Sequence, residues 1–254
     1  MLQEAPKTRG IKLEVSFSPM LYNIYENPNA IVVVIDVLRA TSAICTAFEH
    51  GAKELIPVAT VEEAEEYKKK GYLVGAERNG EIVEGFDFGN SPYSYMGEKI
   101  KNNTIVLTTT NGTKAIKMAE NAYQVVVGSF INISALSAWL AKQGRDVLFL
   151  CSGWKDRYNL EDSLFAGALV DKLSTEFEIE TTLADSALSA KYLYQVAKND
   201  PYKFLRNSSH RKRLAKLNLK EDIKYCLTPD QSSVIPVLKN GTLVKLVEIE
   251  STVV

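Results

Sequence analysis

Apolar runs without alternation recur along the chain: "AIVVVID" at Ala30 to Asp36, then "ELIPV", "YLVGAE", "TIVLTTT", "QVVVGSF" and "DVLFLC". Such runs mark strands covered on both faces. Amphipathic segments lie between them. One runs from Ser42 to His50 and is closed by Gly51; "TVEEAEEYKKKG", "GTKAIKMAENA", "NISALSAWLAKQG" and "EDSLFAGALVDKLS" follow. In the second of these, acidic residues open the segment and lysines close it. That order suits the helix dipole, with Gly71 as C-cap. Strands alternating with helices predict an α/β fold, layered α/β/α around a mostly parallel or mixed sheet. Ile31–Val58 and Thr104–Gly128 share one plan of strand, Thr-bearing turn, helix and strand, which suggests two similar α/β halves.

After Asp185 the pattern turns helical, through "ALSAKYLYQVAK", "PYKFLRN" and "SSHRKRLAKLNLKEDIKYCL". The strands "SVIPVL" and "LVKLVEI", separated by Asn240-Gly241, predict a terminal hairpin. No low-complexity linker sets this tail apart. The expectation is a single domain over 1–254, with a subdivision near 130–185 as the alternative.

Composition narrows the class. The 254 residues are 46% hydrophobic, enough for a substantial core. A net charge of −1 argues against general nucleic-acid binding. No stretch approaches the roughly 20 apolar residues of a membrane span. The opening "MLQEAPKTRGIKLEV" lacks the apolar core of a secretion signal. Cys45, Cys151 and Cys226 form no CxxC pair, so free thiols in a reducing cytoplasm are expected.

In open α/β sheets ligands bind beyond the carboxyl ends of the strands. The residues at those ends are Asp36, Arg39, Thr41 and Ser42; Glu77, Arg78, Asn79 and Gly80; Asp87, Asn90 and Ser91; Thr108 to Thr113; Ser129 and Asn132; and Glu161 and Asp162. Hydroxyls and amides at helix starts favour anions, and arginine grips phosphate bidentately. Carboxylate oxygens suit a hard ion such as Mg2+. Taken singly, Thr41, Asn111 and Asn159 read as helix caps and Arg78-Asn79-Gly80 as a turn. Asp36 closes a buried strand and needs a partner. Together these residues point to a magnesium–phosphate site.

Two phosphatase plans can be tested, and neither fits. An aspartyl nucleophile of the haloacid dehalogenase kind needs a second Asp two residues on, where Leu38 stands. "CSGWKDR" has the Cys-five-Arg spacing of tyrosine phosphatases in Cys151 and Arg157, but Asp156 would put a negative charge in the cradle.

Read together, "VVVIDVLRATSAI", "GAERNGEIVEGFDFGNSP", "TTTNGTKAI", "GSFINISA", "CSG" and "NLEDSLFAGAL" resemble the 2-phosphosulfolactate phosphatase (ComB-like) family. The likeness spans Ile31 to Leu173 and continues more loosely through the tail. It implies a magnesium-dependent hydrolase that converts 2-phospho-3-sulfolactate to sulfolactate, a step of coenzyme M biosynthesis. Mapped onto this chain, it implies catalysis by Asp36, Arg39, Glu77 and Asp87. Substrate binding falls to Arg39, Thr41, Ser42, Arg78, Asn90, Ser91, Asn111, Gly112, Thr113, Ser129 and Asn132, and metal binding to Asp36, Glu161 and Asp162. Attack by water is favoured over a phosphoenzyme on Asp36. The chain departs from the family at Ser152 and at Arg211, where alanine and glycine are more usual. His210 and Arg211 to Arg213 could supply positive charge, but read first as a solvated helix face. A small anionic phosphoester is the expected partner, and a homodimer the expected assembly. The alternatives are a phosphatase of another phosphorylated hydroxy acid and a non-catalytic phosphate- or sulfonate-binding protein.

Overall fold

The computed structural model describes residues 10–78 and 80–247, so Asn79 lies outside the described residues. Its strands are β1 (Ile11–Ser16), β2 (Ile31–Ile35), β3 (Glu54–Pro57), β4 (Leu73–Arg78), β5 (Glu81–Ile82), β6 (Thr104–Thr108), β7 (Gln124–Gly128), β8 (Val147–Cys151), β9 (Thr181–Leu183), β10 (Pro236–Lys239) and β11 (Thr242–Lys245). The helices are α1 (Tyr22–Tyr25), α2 (Ala40–Glu49), α3 (Val61–Lys69), α4 (Gly112–Met118), α5 (Ile133–Gln143), α6 (Leu160–Thr175), α7 (Asp185–Ala197), α8 (Pro201–Phe204), α9 (Ser209–Lys216) and α10 (Lys220–Cys226).

The strands form one 11-stranded sheet in the order β5-β4-β6-β3-β11-β10-β7-β2-β8-β1-β9. It contains two parallel blocks. One holds β4, β6 and β3, the other β7, β2, β8, β1 and β9. The terminal hairpin joins them. β10 runs antiparallel to β7 through Val237↔Val126, and β11 antiparallel to β3 through Leu243↔Leu55. Asn240 and Gly241, at φ 50 and 78, make the two-residue turn whose twist suits such strands. The end of the expected "LVKLVEI" strand lies outside the described residues.

Two units cross between the blocks. β2 leads through α2 to β3 in the other block, and β6 leads through α4 back to β7. The shared plan of the two segments is thus what interlocks the blocks. Helix α2 carries "ATSAICTAF" without a charge and is buried from Ala40 to Phe48. Along β2, Ile31, Val33 and Ile35 enter one core cluster while Val32 and Val34 enter the other. Both faces of the strand are therefore covered, as its unbroken apolar run demands.

Strands β1 and β9 were not foreseen. β1 alternates buried and half-buried positions at the N-terminal side of the sheet, and β9 is three residues long, too short for periodicity to register. Among the described residues no helix is long and apolar enough to cross a membrane.

Candidate active site

Residues from both blocks and from the tail line one small cavity. Asp36, Leu38 and Arg39 follow β2, Glu77 and Gly80 flank the end of β4, and Asn90 lies on the loop beyond β5. Thr110 and Asn111 follow β6, Trp154 follows β8, and His210, Arg213 and Leu214 come from α9.

Asp36 sits at the centre of this set and is 7% exposed. Thr41 fixes its backbone. The Asp36 N–H donates to Thr41 Oγ1 at 3.1 Å, and the Thr41 N–H donates to the Asp36 carbonyl at 2.9 Å. The Ala40 N–H donates to its carboxylate. Burial pushes the carboxyl up to about 6; positive charge on His210 opposes the rise, and Glu77 and Glu161 add to it. Thr113 repeats the Thr41 device, exchanging bonds of 3.1 and 3.2 Å with Thr109. The starts of α2 and α4 meet, and only glycine fits between them. A Cβ on Gly112 would stand 3.0 Å from Asp36 Oδ2 and 2.8 Å from Ala40 Cβ. Ser42 lies beneath, its hydroxyl donating to the Val37 carbonyl at 2.8 Å.

Glu77 accepts from the Gly80 N–H and, at 3.2 Å, from Asn90 Nδ2. Asn90 Oδ1 is buried without a partner. Arg39 is buried and donates from Nη1 to Asp222 Oδ2 at 2.6 Å and from Nη2 to the Gly80 carbonyl at 2.8 Å. Asn111 caps nothing; its Oδ1 accepts from the Lys155 N–H at 3.3 Å and ties the turn after β8 to the site.

Glu161 and Asp162 lie below the cavity at the start of α6, which Asn159 caps through the Asp162 N–H at 3.1 Å. The oxygens of Asp162 accept from the Val37 N–H at 2.9 Å and the Gly153 N–H at 3.2 Å, tying the loops after β2 and β8 together. Burial, with the charges of Asp36 and Glu161, holds its carboxyl well above the usual range. Glu161 Oε1 stands 2.5 Å from His210 Nδ1, while Oε2 is buried without a partner.

Other expected site residues do not line the cavity. Arg78 donates to its neighbour Glu77's carbonyl and to Thr108 Oγ1, and Ser91 lies in an adjoining groove. The Ser129 N–H donates to Asn132 Oδ1 at 3.1 Å, and Asn132 Nδ2 donates to the Val127 and Val234 carbonyls. Asp87 pins α3 to β4, accepting from Lys68 at 2.6 Å, Lys99 at 2.8 Å and the Val74 N–H at 2.9 Å. Partial burial alone would raise its carboxyl, but these bonds bring it down to about 2. Its contribution to stability is therefore present above about pH 4 and lost as the pH falls through about 2. Asp87→Asn is expected to cost about 1–2 kcal/mol at neutral pH, with the deficit shrinking between about pH 4 and 2, as read by thermal melting.

The Cys151–Arg157 segment is no phosphate cradle. Trp154 and Arg157 exchange backbone bonds of 3.1 Å across Lys155 and Asp156, at φ 51 and 60, forming a tight turn. The Cys151 thiol is fully buried, and burial raises it well above its usual value. The tail corrects the sequence reading in a second respect. His210 and Arg213 belong to the cavity, not to a solvated face. The Arg213 guanidinium lies 4.1 Å from the Trp154 ring centroid. His210 is one of two histidines in the chain, the one signal that could have singled it out.

Does this site suit a hard cation? Among the described residues no group of three or more His, Cys, Asp or Glu is arranged to hold a metal ion. Magnesium rarely needs such a cage, since one or two carboxylates, waters and substrate phosphate oxygens suffice. Besides the His210 ring, the donors near Asp36 are oxygens, and the buried Asn90 Oδ1 and Glu161 Oε2 have no partner. That donor set fits, although both oxygens of Asp162 are already engaged by amides.

Fold and site together define an α/β protein with a small, charged, largely enclosed cavity at its strand ends. A family model described as 2-phosphosulpholactate phosphatase matches residues 17–241. A protein of Caldanaerobacter subterraneus subsp. tengcongensis is 41% identical over 235 residues, which cover 87% of this chain and 97% of that one. One of Thermotoga maritima is 44% identical over 212 residues, 84% of this chain and 90% of its own, and one of Clostridium perfringens 36% over 239, 92% and 96%. Each bears the name probable 2-phosphosulfolactate phosphatase. The chain belongs to the 2-phosphosulpholactate phosphatase family, and so to the phosphoric monoester hydrolases.

Proposed function

We propose that this chain hydrolyses the phosphate monoester of 2-phospho-3-sulfolactate to sulfolactate and phosphate with magnesium as cofactor, a step of the coenzyme M biosynthetic type. The observation that carries the reading is the meeting of Asp36, Glu77 and Asn90 with His210 and Arg213 in one cavity. Asp36 is the first choice to hold the cation, supported by the unpartnered oxygens of Glu161 and Asn90. Bound magnesium would neutralise phosphoryl oxygens and lower the pKa of a coordinated water. Glu161 fixes His210 through Nδ1, which leaves Nε2 to hand a proton to the leaving alkoxide. Leu38 and Leu214 keep bulk water from the reacting atoms. The three cysteines, all buried and free, suit a reducing cytoplasm.

The test is phosphate release from 2-phospho-3-sulfolactate in magnesium and in EDTA, with and without iodoacetamide. The expected result is release that EDTA abolishes and alkylation leaves alone. Release that survives EDTA and dies on alkylation would overturn the mechanism, and no release from this or any related ester would leave a metabolite-binding role.

A further inference from the structure

Three basic side chains, Arg39, His210 and Arg213, line the cavity, and two of them are committed elsewhere in the site. Arg39 pairs with Asp222 at 2.6 Å, and His210 meets Glu161 at 2.5 Å. Among the described residues Arg213 makes no hydrogen bond or ion pair; its guanidinium lies over the Trp154 ring at 4.1 Å. A contact with the ring face uses none of the guanidinium N–H donors in hydrogen bonds and leaves them open to an acceptor. The ring also restrains the side chain, so less freedom is lost when an anion docks. Trp154 is itself fixed. Its turn is anchored by the Lys155 N–H to Asn111 Oδ1 at 3.3 Å, by Ser18 Oγ to the Asp156 carbonyl at 2.5 Å, and by Lys114 to Asp156 at 2.9 Å.

We infer that Arg213, held by Trp154, is a specificity-determining residue that binds a second anion, sulfonate or carboxylate, on the alcohol part of the phosphoester. The inference rests on the phosphatase reading of the cavity and deepens it. A simple phosphoester would leave the Arg213 guanidinium without a hydrogen-bond acceptor, with Glu161 and Glu77 acting on its charge only from a distance. An ester that carries a further anion satisfies it with a charge-assisted, bidentate contact. A site built to bind a group in this way penalises the analogue that lacks it.

The experiment compares kcat/KM of wild type, Arg213→Gln and Trp154→Phe on 2-phospho-3-sulfolactate, 2-phospholactate and isopropyl phosphate, all in magnesium. In Arg213→Gln the preference for 2-phospho-3-sulfolactate over isopropyl phosphate is expected to fall about 100-fold. If 2-phospholactate keeps its rate better than 2-phospho-3-sulfolactate, the anion read is the sulfonate; if both fall together against isopropyl phosphate, it is the carboxylate. Trp154→Phe keeps the charge and a smaller ring, and is expected to lose about tenfold of the same preference. Quenching of Trp154 fluorescence by sulfolactate should weaken in Arg213→Gln, a reading that needs no turnover. Equal losses on all three esters would assign Arg213 to the phosphate or to packing and overturn the inference while the phosphatase stands. A wild-type chain that cleaves none of the esters overturns both.

Discussion

Asp36→Asn is expected to lower kcat/KM by about 10³-fold or more while making the metal-free protein more stable, and the pairing of those effects is the point. The carboxylate is buried and surrounded by Glu77, Glu161 and Asp162, whose charges or proximity disfavour its ionised form. Its carboxyl is pushed up to about 6 in the folded chain against an unfolded value near 3.9. A folded pKa above the unfolded one favours folding at low pH, and that advantage is lost as the pH rises from about 4 through about 6. At neutral pH the ionised group therefore costs about 3 kcal/mol, which the asparagine removes. Magnesium affinity should fall in the same variant. In wild type it should tighten as the pH rises through about 6, because protons and the cation compete for the same oxygens. Titration calorimetry, melting and turnover decide the matter together. Turnover lost with magnesium affinity unchanged would show that Asp36 is not a ligand. Lower stability in the variant would show that the carboxylate's bonds, not its charge, dominate its energetics.

What the sequence disclosed depended on how local each signal was. The unbroken run of β2, the acidic-then-basic order of α3, and Asn240-Gly241 are each written within a few residues, and all were legible. The strand-end rule gathered Asp36, Arg39, Glu77, Asn90 and Asn111 correctly into one cavity. It over-collected where a strand end does not face that cavity. Ser129 sits beside Asp36 in the sheet, since Ile35 pairs with Gly128, yet it lies in the core beneath α2. Asp87 follows a short loop whose lysine partners, Lys68 and Lys99, lie well before and after it in sequence. The residues missed were those supplied by tertiary folding. "SSHRKRLAK" has the composition of a solvated face, and only the packing of α9 over the strand ends turns His210 and Arg213 inward. Asp222, in "KEDIKYC", gave no sign that a buried arginine waits for it 183 residues away.

That pair carries the second large effect. Arg39 and Asp222 are 4% and 9% exposed, so their mutual attraction is the main offset to the desolvation of each. Asp222→Ala leaves the guanidinium buried with only the Gly80 carbonyl for company, and is expected to cost about 3–5 kcal/mol. For a chain of this length that lowers the melting temperature by about 6–15 °C. The loss follows from the orphaned charge, not from a large favourable energy of the pair. Replacing both partners by apolar residues, Arg39→Met with Asp222→Leu, should therefore recover most of the lost stability. It should not recover turnover, because the cavity would still lack Arg39. Asp222→Asn, which retains an acceptor, should fall between wild type and Asp222→Ala in stability. The pattern separates the two things the tail could be doing. If α10 merely packs, the double variant and Asp222→Ala would melt alike and Asp222→Asn would keep full activity. If Asp222 positions Arg39 for the substrate, stability returns in the double variant while kcat/KM does not, and Asp222→Asn raises KM more than it lowers kcat.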